Sequence, residues 1–256
     1  MTGAGRAVRS GPGVDEPSPA AMPARGTRGT LAVARDPTTV PRPGDLTAER
    51  RAGTDTHGHH GRMRILLVCT GNLCRSPVAE RMLAHWARDA LGDDAARVAL
   101  DSAGTDAPHG RPMDDAAAHA LLALGGDPVG FTSRRLVAGE AMEFDLVLTA
   151  TREHRSRVLY PAPGALRRTF TFVEAAALLA VADCSGIGEL PLEARARELS
   201  ARLSAARAHR RSGDADDIAD PIGRSLMVHR AVADRIAEAL SPLATVLFQP
   251  EQLPPR

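Results

Sequence analysis

The feature that most constrains this fold is a short loop between a strand pattern and a helix pattern. The apolar run Ile65-Leu66-Leu67-Val68 is typical of a buried parallel strand. After the loop, Val78, Met82, Leu83 and Trp86 recur at helical spacing, and we expect Ser76 to be the N-cap with Pro77 in the first turn. The loop reads Val68-Cys69-Thr70-Gly71-Asn72-Leu73-Cys74-Arg75-Ser76-Pro77.

Such a loop is suited to binding an anion, because it ends at a helix N-terminus where backbone N–H groups and the helix dipole are both positive. Gly71 and Asn72 are residue types that tolerate the left-handed backbone needed to turn amides inward. Arg75 closes the ring, and its planar fork can hold two phosphate oxygens at once.

Cys69 ends the strand and faces the predicted anion site. The helix dipole, the loop amides, Arg75 and the Ser76 hydroxyl would all favour the thiolate, so we expect this cysteine to be a nucleophile. A thiolate at this place predicts attack on phosphorus, which gives a cysteinyl-phosphate that water then hydrolyses.

The motif C-x5-R-S, with Gly-Asn inside it and Pro after it, resembles the low-molecular-weight protein tyrosine phosphatase family. That resemblance implies Cys69 as nucleophile and Arg75 as stabiliser of the phosphoryl charge. The family carries a motif similar to Ser102-Ala103-Gly104-Thr105, which implies that Ser102 hydrogen-bonds Asn72 and supports the loop. We expect the other loop residues to bind phosphate, namely Thr70, Gly71, Asn72, Leu73, Cys74 and Ser76.

A second motif, Asp217-Ile218-Ala219-Asp220-Pro221-Ile222-Gly223, precedes the last predicted helix and resembles the family's Asp-Pro loop. The resemblance implies Asp220 as the general acid. A carboxylic acid is needed because the leaving oxygen departs poorly unless it is protonated, and the carboxylate can then activate water. Asp217 is the alternative, since Asp-Pro pairs also mark ordinary turns.

Strand and helix patterns alternate along the chain and predict an α/β fold with a parallel sheet and helices on both faces. The resemblance implies a flavodoxin-like sheet of four strands. Ligands of such sheets bind at the carboxyl edge, where the cysteine loop lies. The predicted strands after the first are 98–100, 145–148 and 169–172, and the predicted helices are 77–91, 113–124, 152–159, 173–182 and 226–240.

We expect residues 63–248 to form the phosphatase-like domain, with 249–256 a short tail. Residues 1–62 contain 10 Gly and 7 Pro with few apolar residues, so we expect a disordered tail, and Met63 is an alternative start. Within this tail, His57, His59 and His60 are interpreted as a solvated stretch rather than a metal site.

An extra helical segment, about 183–217, departs from the compact family pattern. An amphipathic helix that begins at Pro191 is interpreted as a lid or an elaborated edge. Its charged face is either simply solvated or recruits substrate through Arg207, Arg210 and Arg211.

Composition excludes several classes of function. The formal net charge of +1 gives no reason to expect nucleic acid or a membrane surface as partner. All 32 basic residues are arginine, so a Walker-type phosphate loop, which requires lysine, is excluded. Three cysteines without a disulfide or zinc pattern, and no long apolar run, predict a cytoplasmic protein. We expect no cofactor and no catalytic metal.

The resemblance implies that the substrate is a phosphorylated protein or a small phosphomonoester, with phosphotyrosine first on family grounds. Tyrosine phosphatases of the family line their slot with aromatic residues, where this chain has Pro108 and Ile222. Relatives that act on phosphoarginine carry threonine at the position of Leu73. Arsenate reduction would need two further downstream cysteines, whereas this chain has only Cys184. A phosphate-binding protein without turnover is the alternative from another class.

Overall fold

The computed structural model describes residues 61–210 and 213–249 of the chain. The predicted tails 1–62 and 249–256 lie almost entirely outside this part. Four strands and six α-helices are described: β1 Met63–Cys69, α1 Arg75–Leu91, β2 Val98–Gly104, α2 Asp115–Ala123, β3 Leu146–Thr149, α3 Arg152–Leu159, β4 Thr169–Thr171, α4 Phe172–Leu179, α5 Leu192–Ala206 and α6 Leu226–Phe248. Short 3-10 helices are Gly92–Arg97, Glu140–Glu143, Pro163–Arg168, Ile187–Glu189, Arg207–His209 and Asp214–Asp216.

The four strands form one parallel sheet in the order β2-β1-β3-β4. Strand β1 is central and almost wholly buried, as its continuous apolar sequence predicts. The predicted α/β class with a four-stranded parallel sheet is confirmed. Because all strands run the same way, the loops after β1, β3 and β4 emerge at one edge of the sheet.

Apolar side chains from alternate positions of the strands enter two separate cores. On one face, Ile65 and Leu67 of β1 pack with residues of α1, α2, α4, α5 and α6. On the other face, Leu66 and Val68 pack with a smaller cluster that includes Val158 of α3. The period of two along β1 therefore builds both layers of the domain.

Helix α5 corrects the interpretation of the extra segment as a lid or an edge. Its apolar residues Leu199 and Leu203 are fully buried, and the helix contacts the central strand β1 and also β3 and α6. A helix so buried cannot open without exposing a large part of the core. It begins after Pro191, as predicted.

Two of the three arginines that were candidates for recruiting substrate, Arg207 and Arg210, instead bind other residues of the domain. Arg207 donates to the buried Glu174 at 3.0 Å and to the carbonyl of Thr169 at 2.6 Å. Arg210 donates to the fully buried Asp216 at 3.0 Å. Both guanidinium groups therefore hold the domain together, and Arg211 lies outside the described residues.

Within the described residues, no helix combines the length and the apolar character needed to cross a bilayer.

Candidate active site

A cleft of about 130 Å³ lies at the carboxyl end of β1. It brings together residues of the cysteine loop and residues of the Asp-Pro loop, which are far apart in the sequence. The residues that line it are Cys69, Thr70, Gly71, Leu73, Cys74, Arg75, Asp220 and Ile222.

Asn72 holds the loop in its turn. Its φ of 50° is the one positive φ of a non-glycine residue in the described part of the chain, as the residue type predicts. Its side-chain Nδ2 donates to Ser76 Oγ at 3.0 Å and to Ser102 Oγ at 2.9 Å. Its Oδ1 accepts from the backbone N–H of Arg134 at 2.9 Å. The fully buried amide thus ties the loop to α1, β2 and the segment before the third strand.

Asn72 is the middle of a series of hydrogen-bonded side chains that runs from Glu80 through Ser102, Asn72 and Ser76 to Cys69. Ser102 Oγ donates to Glu80 Oε2 at 2.5 Å, and burial raises the pKa of this carboxyl above its ordinary value. At the other end, Ser76 Oγ lies 3.0 Å from Cys69 Sγ. The hydroxyl of Ser76 is therefore positioned to donate to a Cys69 thiolate.

The structure corrects one local prediction at this point. Helix α1 begins at Arg75 with Cys74 as the N-cap, and no side chain caps it. The hydroxyl of Ser76 was predicted to cap the helix, but it contacts Cys69 and Asn72 instead. The first amides of α1 consequently lack a side-chain cap.

The backbone of the loop is anchored through its carbonyl groups. The carbonyls of Cys69 and Thr70 accept hydrogen bonds from Thr105 and Asp106, both at 2.9 Å. By contrast, the N–H groups of Gly71, Leu73 and Cys74 donate to no other residue in the described ranges. These amides are therefore free to bind an anion.

Gly104 allows this close approach of β2 to the loop. A Cβ atom at this position would lie 2.3 Å from the Thr70 carbonyl oxygen and 2.8 Å from the backbone nitrogen of Asn72. Both neighbours are backbone atoms that cannot move aside without changing the loop.

Arg75 lies at the centre of the cleft and is 4% exposed. Its Nη2 donates to Asp220 Oδ2 at 2.6 Å, and its Nη1 donates to the backbone carbonyl of Ile218 at 3.0 Å. Its buried Nε has no hydrogen-bond partner among the described residues. A buried donor without a partner is costly, so an anion in the cleft would satisfy it.

His154 contributes a neutral ring beside this arginine. Its Nε2 lies 2.8 Å from Thr70 Oγ1, and its Nδ1 lies 2.8 Å from Thr151 Oγ1. Burial and the positive charge of Arg75 lower the pKa of His154 to about 4. The ring is therefore neutral near pH 7 and positions Thr70, whose hydroxyl also accepts from Arg75 Nη2 at 3.2 Å.

The two candidate acids occupy different environments. Asp217 accepts from the backbone N–H of Arg152 at 2.7 Å and from its guanidinium at 3.0 Å. Partial burial raises the pKa of Asp217, but the hydrogen bonds from Arg152 outweigh it and lower the pKa below its ordinary value. Asp220 lines the cleft and is partly exposed, so of the two it is the carboxyl that can reach a leaving group.

Pro108 and Ile222 stand where tyrosine phosphatases of the family are expected to have aromatic residues, but only Ile222 lines the cleft. Ile222 lines the cleft and is 49% exposed, and its N–H donates to Asp220 Oδ1 at 3.2 Å. Pro108 is not among the lining residues, and its carbonyl accepts a hydrogen bond from Ser133. The larger apolar side chains among the lining residues are therefore the aliphatic ones of Ile222 and Leu73.

Cys74 is buried beside Cys69 in the same loop, and both are free thiols. Burial is the main cause that raises the pKa of Cys74, and the nearby Asp114 adds to it. The protonated thiol therefore predominates at Cys74 near neutral pH.

Two residues of the site were not found from the sequence. Glu80 and His154 are polar residues on helices, and no spacing connects them with the loop. Their contacts arise only when the sheet brings α1 and α3 to one edge. The neighbouring Ala79-Glu80 of the cysteine motif was the one available signal.

The arrangement can support phosphoryl transfer to sulfur. A cysteine, free loop amides and an arginine surround a cleft large enough for a phosphoryl group, and a carboxyl lies on its rim. This is the set of groups that nucleophilic attack and charge stabilisation require.

Comparison with known proteins agrees with this geometry. The family model for "Low molecular weight phosphotyrosine protein phosphatase" matches residues 64–205, which is more than half of the chain. The low molecular weight protein-tyrosine-phosphatase Etp of Escherichia coli K12 is 37% identical over 108 residues, covering 42% of this chain and 68% of Etp.

Solved structures agree as well. The YwlE arginine phosphatase of Geobacillus stearothermophilus is 28% identical, with a TM-score of 0.51 over 72% of this chain and 92% of that one. The low molecular weight protein tyrosine phosphatase of T. tengcongensis is 26% identical, with a TM-score of 0.51 over 71% and 97%. The family match ends at residue 205, before the Asp-Pro loop.

Proposed function

Because this chain belongs to the low molecular weight phosphotyrosine protein phosphatase family and is a hydrolase of that type, we propose that Cys69 is its nucleophile. The sulfur of the thiolate attacks phosphorus, so that a sulfur–phosphorus bond forms as the bond to the leaving oxygen breaks. Water then attacks the cysteinyl-phosphate, which releases orthophosphate and restores the thiolate. One observation carries the proposal, namely that Cys69, Arg75 and Asp220 line the same cleft.

Arg75 and the loop amides stabilise the charge that develops on the phosphoryl oxygens. The buried Nε of Arg75 and the N–H groups of Gly71, Leu73 and Cys74 have no other described partner, so binding phosphate breaks none of their hydrogen bonds. Thr70, Asn72 and Ser76 complete the phosphate-binding loop, and Ser102 supports it through Asn72.

Asp220 acts as the acid and then as the base. In the first step its carboxyl gives a proton to the leaving oxygen, and in the second its carboxylate takes a proton from the attacking water. Its partial exposure on the rim suits both steps, because the carboxyl must reach the leaving group and then the solvent. The oxygens of a bound phosphoryl group would compete with Asp220 for Nη2 of Arg75 and release the carboxyl for this role.

Phosphotyrosine in proteins is the substrate that we place first, on the basis of the relatives named as protein-tyrosine phosphatases. A small phosphomonoester would use the same cleft. Phosphoarginine is the alternative, since Ile222 offers no ring for stacking and a YwlE arginine phosphatase is among the structural neighbours. Leu73 favours phosphotyrosine, because relatives that act on phosphoarginine carry threonine there. We also propose a cytoplasmic location, because the thiols of Cys69 and Cys74 are unpaired.

The test is turnover of para-nitrophenyl phosphate, followed by a panel of phosphotyrosine, phosphoarginine and phosphoserine peptides. We expect hydrolysis by the parent and none by Cys69→Ser, which should still bind phosphate or vanadate because the amides and Arg75 remain. Cys184→Ser is the matched control and should keep full activity, since Cys184 does not line the cleft. Substantial turnover by Cys69→Ser would refute the assignment, and phosphate binding by a parent without turnover would indicate a binding protein.

A further inference from the structure

Behind the phosphate loop, three side chains of different chemistry meet from three elements. Cys74 is the N-cap of α1, Asp114 is the N-cap of α2, and His229 lies in the first turns of α6. One ligand atom of each lies within 4.8 Å of those of the others. The backbone N–H of Asp114 also donates to the Leu73 carbonyl at 3.0 Å, which ties this cluster to the loop.

His229 is the unexplained member of the cluster. The residue is 3% exposed, and its Nδ1 has no hydrogen-bond partner among the described residues. Asp114 Oδ1 lies 3.6 Å from this nitrogen, which is too long for a hydrogen bond. Buried polar nitrogens rarely stay unpaired, so this one calls for a partner that would complete the cluster.

The donor set identifies the class of partner. A thiolate, an imidazole and a carboxylate together are typical ligands of Zn²⁺, whereas Mg²⁺ and Ca²⁺ prefer oxygen alone. Zinc bond lengths in a tetrahedral site place ligand atoms roughly 3.4–3.6 Å apart. The distance of 3.6 Å between His229 Nδ1 and Asp114 Oδ1 places the carboxylate group close enough to share a cation with the imidazole. The widest separation, up to 4.8 Å, would close with a shift of about 1 Å.

Asp114 and Cys74 can each bind a cation in addition to the contacts that they already make. Asp114 Oδ1 accepts from the backbone N–H groups of Ala116 and Ala117 as a helix cap, which uses its two lone pairs. Its other carboxylate oxygen, Oδ2, keeps its lone pairs and is the atom that would bind a cation. Cys74 lines the cleft as well, which offers an entry path and a place for water as the fourth ligand.

We propose that Cys74, Asp114 and His229 form a binding site for a divalent cation of the zinc class, which shares Cys74 with the phosphate loop but uses neither the proposed nucleophile nor the proposed acid. The cation would hold Cys74 as a bound thiolate and join the phosphate loop to α2 and α6. The site does not depend on phosphatase activity, because it uses neither Cys69 nor Asp220.

The probe is Co²⁺, which reports thiolate ligation by a charge-transfer absorption band, with Zn²⁺ as the competitor. The full chain carries Cys69→Ser, Cys184→Ser and His57→Ala, His59→Ala, His60→Ala, so that other thiols and the histidine cluster of the tail cannot bind. We expect one Co²⁺ per chain with a thiolate band that Zn²⁺ abolishes. Cys74→Ser should remove the band, and His229→Gln should weaken binding by about tenfold or more.

His85→Gln is the matched control, because His85 is a partly exposed histidine of α1 that faces Asp89 outside the cluster. The chain that adds His85→Gln to the other replacements should bind Co²⁺ as tightly as the chain without it. Asp114→Asn keeps a cap for α2 and gives a second measurement, with weaker binding expected. Absence of a thiolate band, or binding that His229→Gln and Asp114→Asn both leave unchanged, would overturn the proposal. Phosphatase activity is measured separately in the parent, so failure of either proposal is distinguishable.

Discussion

Nη2 of Arg75 lies 2.6 Å from Oδ2 of Asp220, although 145 residues separate them in the sequence. The same guanidinium also binds the carbonyl of Ile218, whose own N–H donates to Ala150 after β3. One arginine therefore belongs to the phosphate loop and also fixes the Asp-Pro loop above it. This contact places Asp220 at the cleft, in a part of the chain that the family match does not reach.

Replacement of Asp220 tests its role through the leaving group. Asp220→Asn should slow hydrolysis of phenyl phosphate far more than that of activated aryl phosphates, because protonation matters most when the departing oxygen is basic. General acid catalysis contributes about 10²–10⁴-fold, so the difference is measurable as kcat on a series of aryl phosphates.

Asp217→Asn is the control for that series. Asp217 binds Arg152 at the start of α3, so its replacement should lower stability without any dependence on the leaving group. If Asp217→Asn gave the leaving-group effect and Asp220→Asn did not, the assignment of the acid would be wrong while the phosphatase chemistry would stand.

Peroxide should inactivate the enzyme reversibly through the two cysteines of the loop. Peroxide oxidises the Cys69 thiolate to a sulfenic acid, and the Cys74 thiol then condenses with it to a disulfide and water. Mass spectrometry should detect the Cys69–Cys74 bridge, and added thiol should restore turnover. Recovery of Cys74→Ser to the same extent as the parent would contradict this redox role.

His154 should make the folded state sensitive to mild acid. Its pKa is about 4 in the folded protein and 6.5 for an ordinary histidine, so the unfolded chain binds a proton first as pH falls. Stability due to the neutral ring is therefore present above pH 6.5 and is lost towards pH 4.

Urea unfolding at about pH 7 and about pH 5 measures this effect. The free energy of unfolding should be lower at the more acidic pH by on the order of 1–2 kcal/mol. His154→Gln should lose less stability over this interval than the parent. His85→Gln replaces a partly exposed histidine and should lose as much stability as the parent over this interval. Equal losses in His154→Gln and the parent would exclude His154 as the cause.

A chain that starts at Met63 should fold and keep its activity. Met63 is fully buried at the start of β1, and its neighbour Arg64 donates its backbone N–H to Asp145, so the buried core begins at this strand. Of the removed residues, Arg62 donates to the Ala96 carbonyl at 2.7 Å, a contact between exposed groups whose loss the fold should tolerate. Circular dichroism and turnover of para-nitrophenyl phosphate, compared with the full chain, check this. Loss of both on removal of residues 1–62 would show that the domain boundary is wrong.

The sequence was sufficient for the parts of this protein that depend on local pattern. The strand before Cys69, the glycine and asparagine of the loop, and the order of strands and helices follow from apolar period and turn chemistry. The position of α5 did not follow, because an amphipathic pattern tells which face is apolar but not which surface covers it. Its burial against β1 is a property of the whole fold.

The contacts of the candidate site also fall into those that the local sequence predicts and those that depend on the whole fold. Cys69 and Arg75 are close in sequence, so their proximity could be predicted from one loop. The contact of His154 with Thr70 and that of Glu80 with Ser102 depend on the packing of α3 and α1 against the sheet. Short polar contacts between distant segments leave no periodic trace, and only the folded chain reveals them.

Gly104 sets a limit on how this enzyme could be redesigned. Any larger residue at this position would collide with the backbone at Thr70 and Asn72, so this position is closed to variation even though Gly104 is not among the residues that line the cleft. A programme to change substrate range should therefore leave the end of β2 alone. Libraries should instead begin at Ile222, which lines the cleft and is 49% exposed, whereas Leu73 packs against the core.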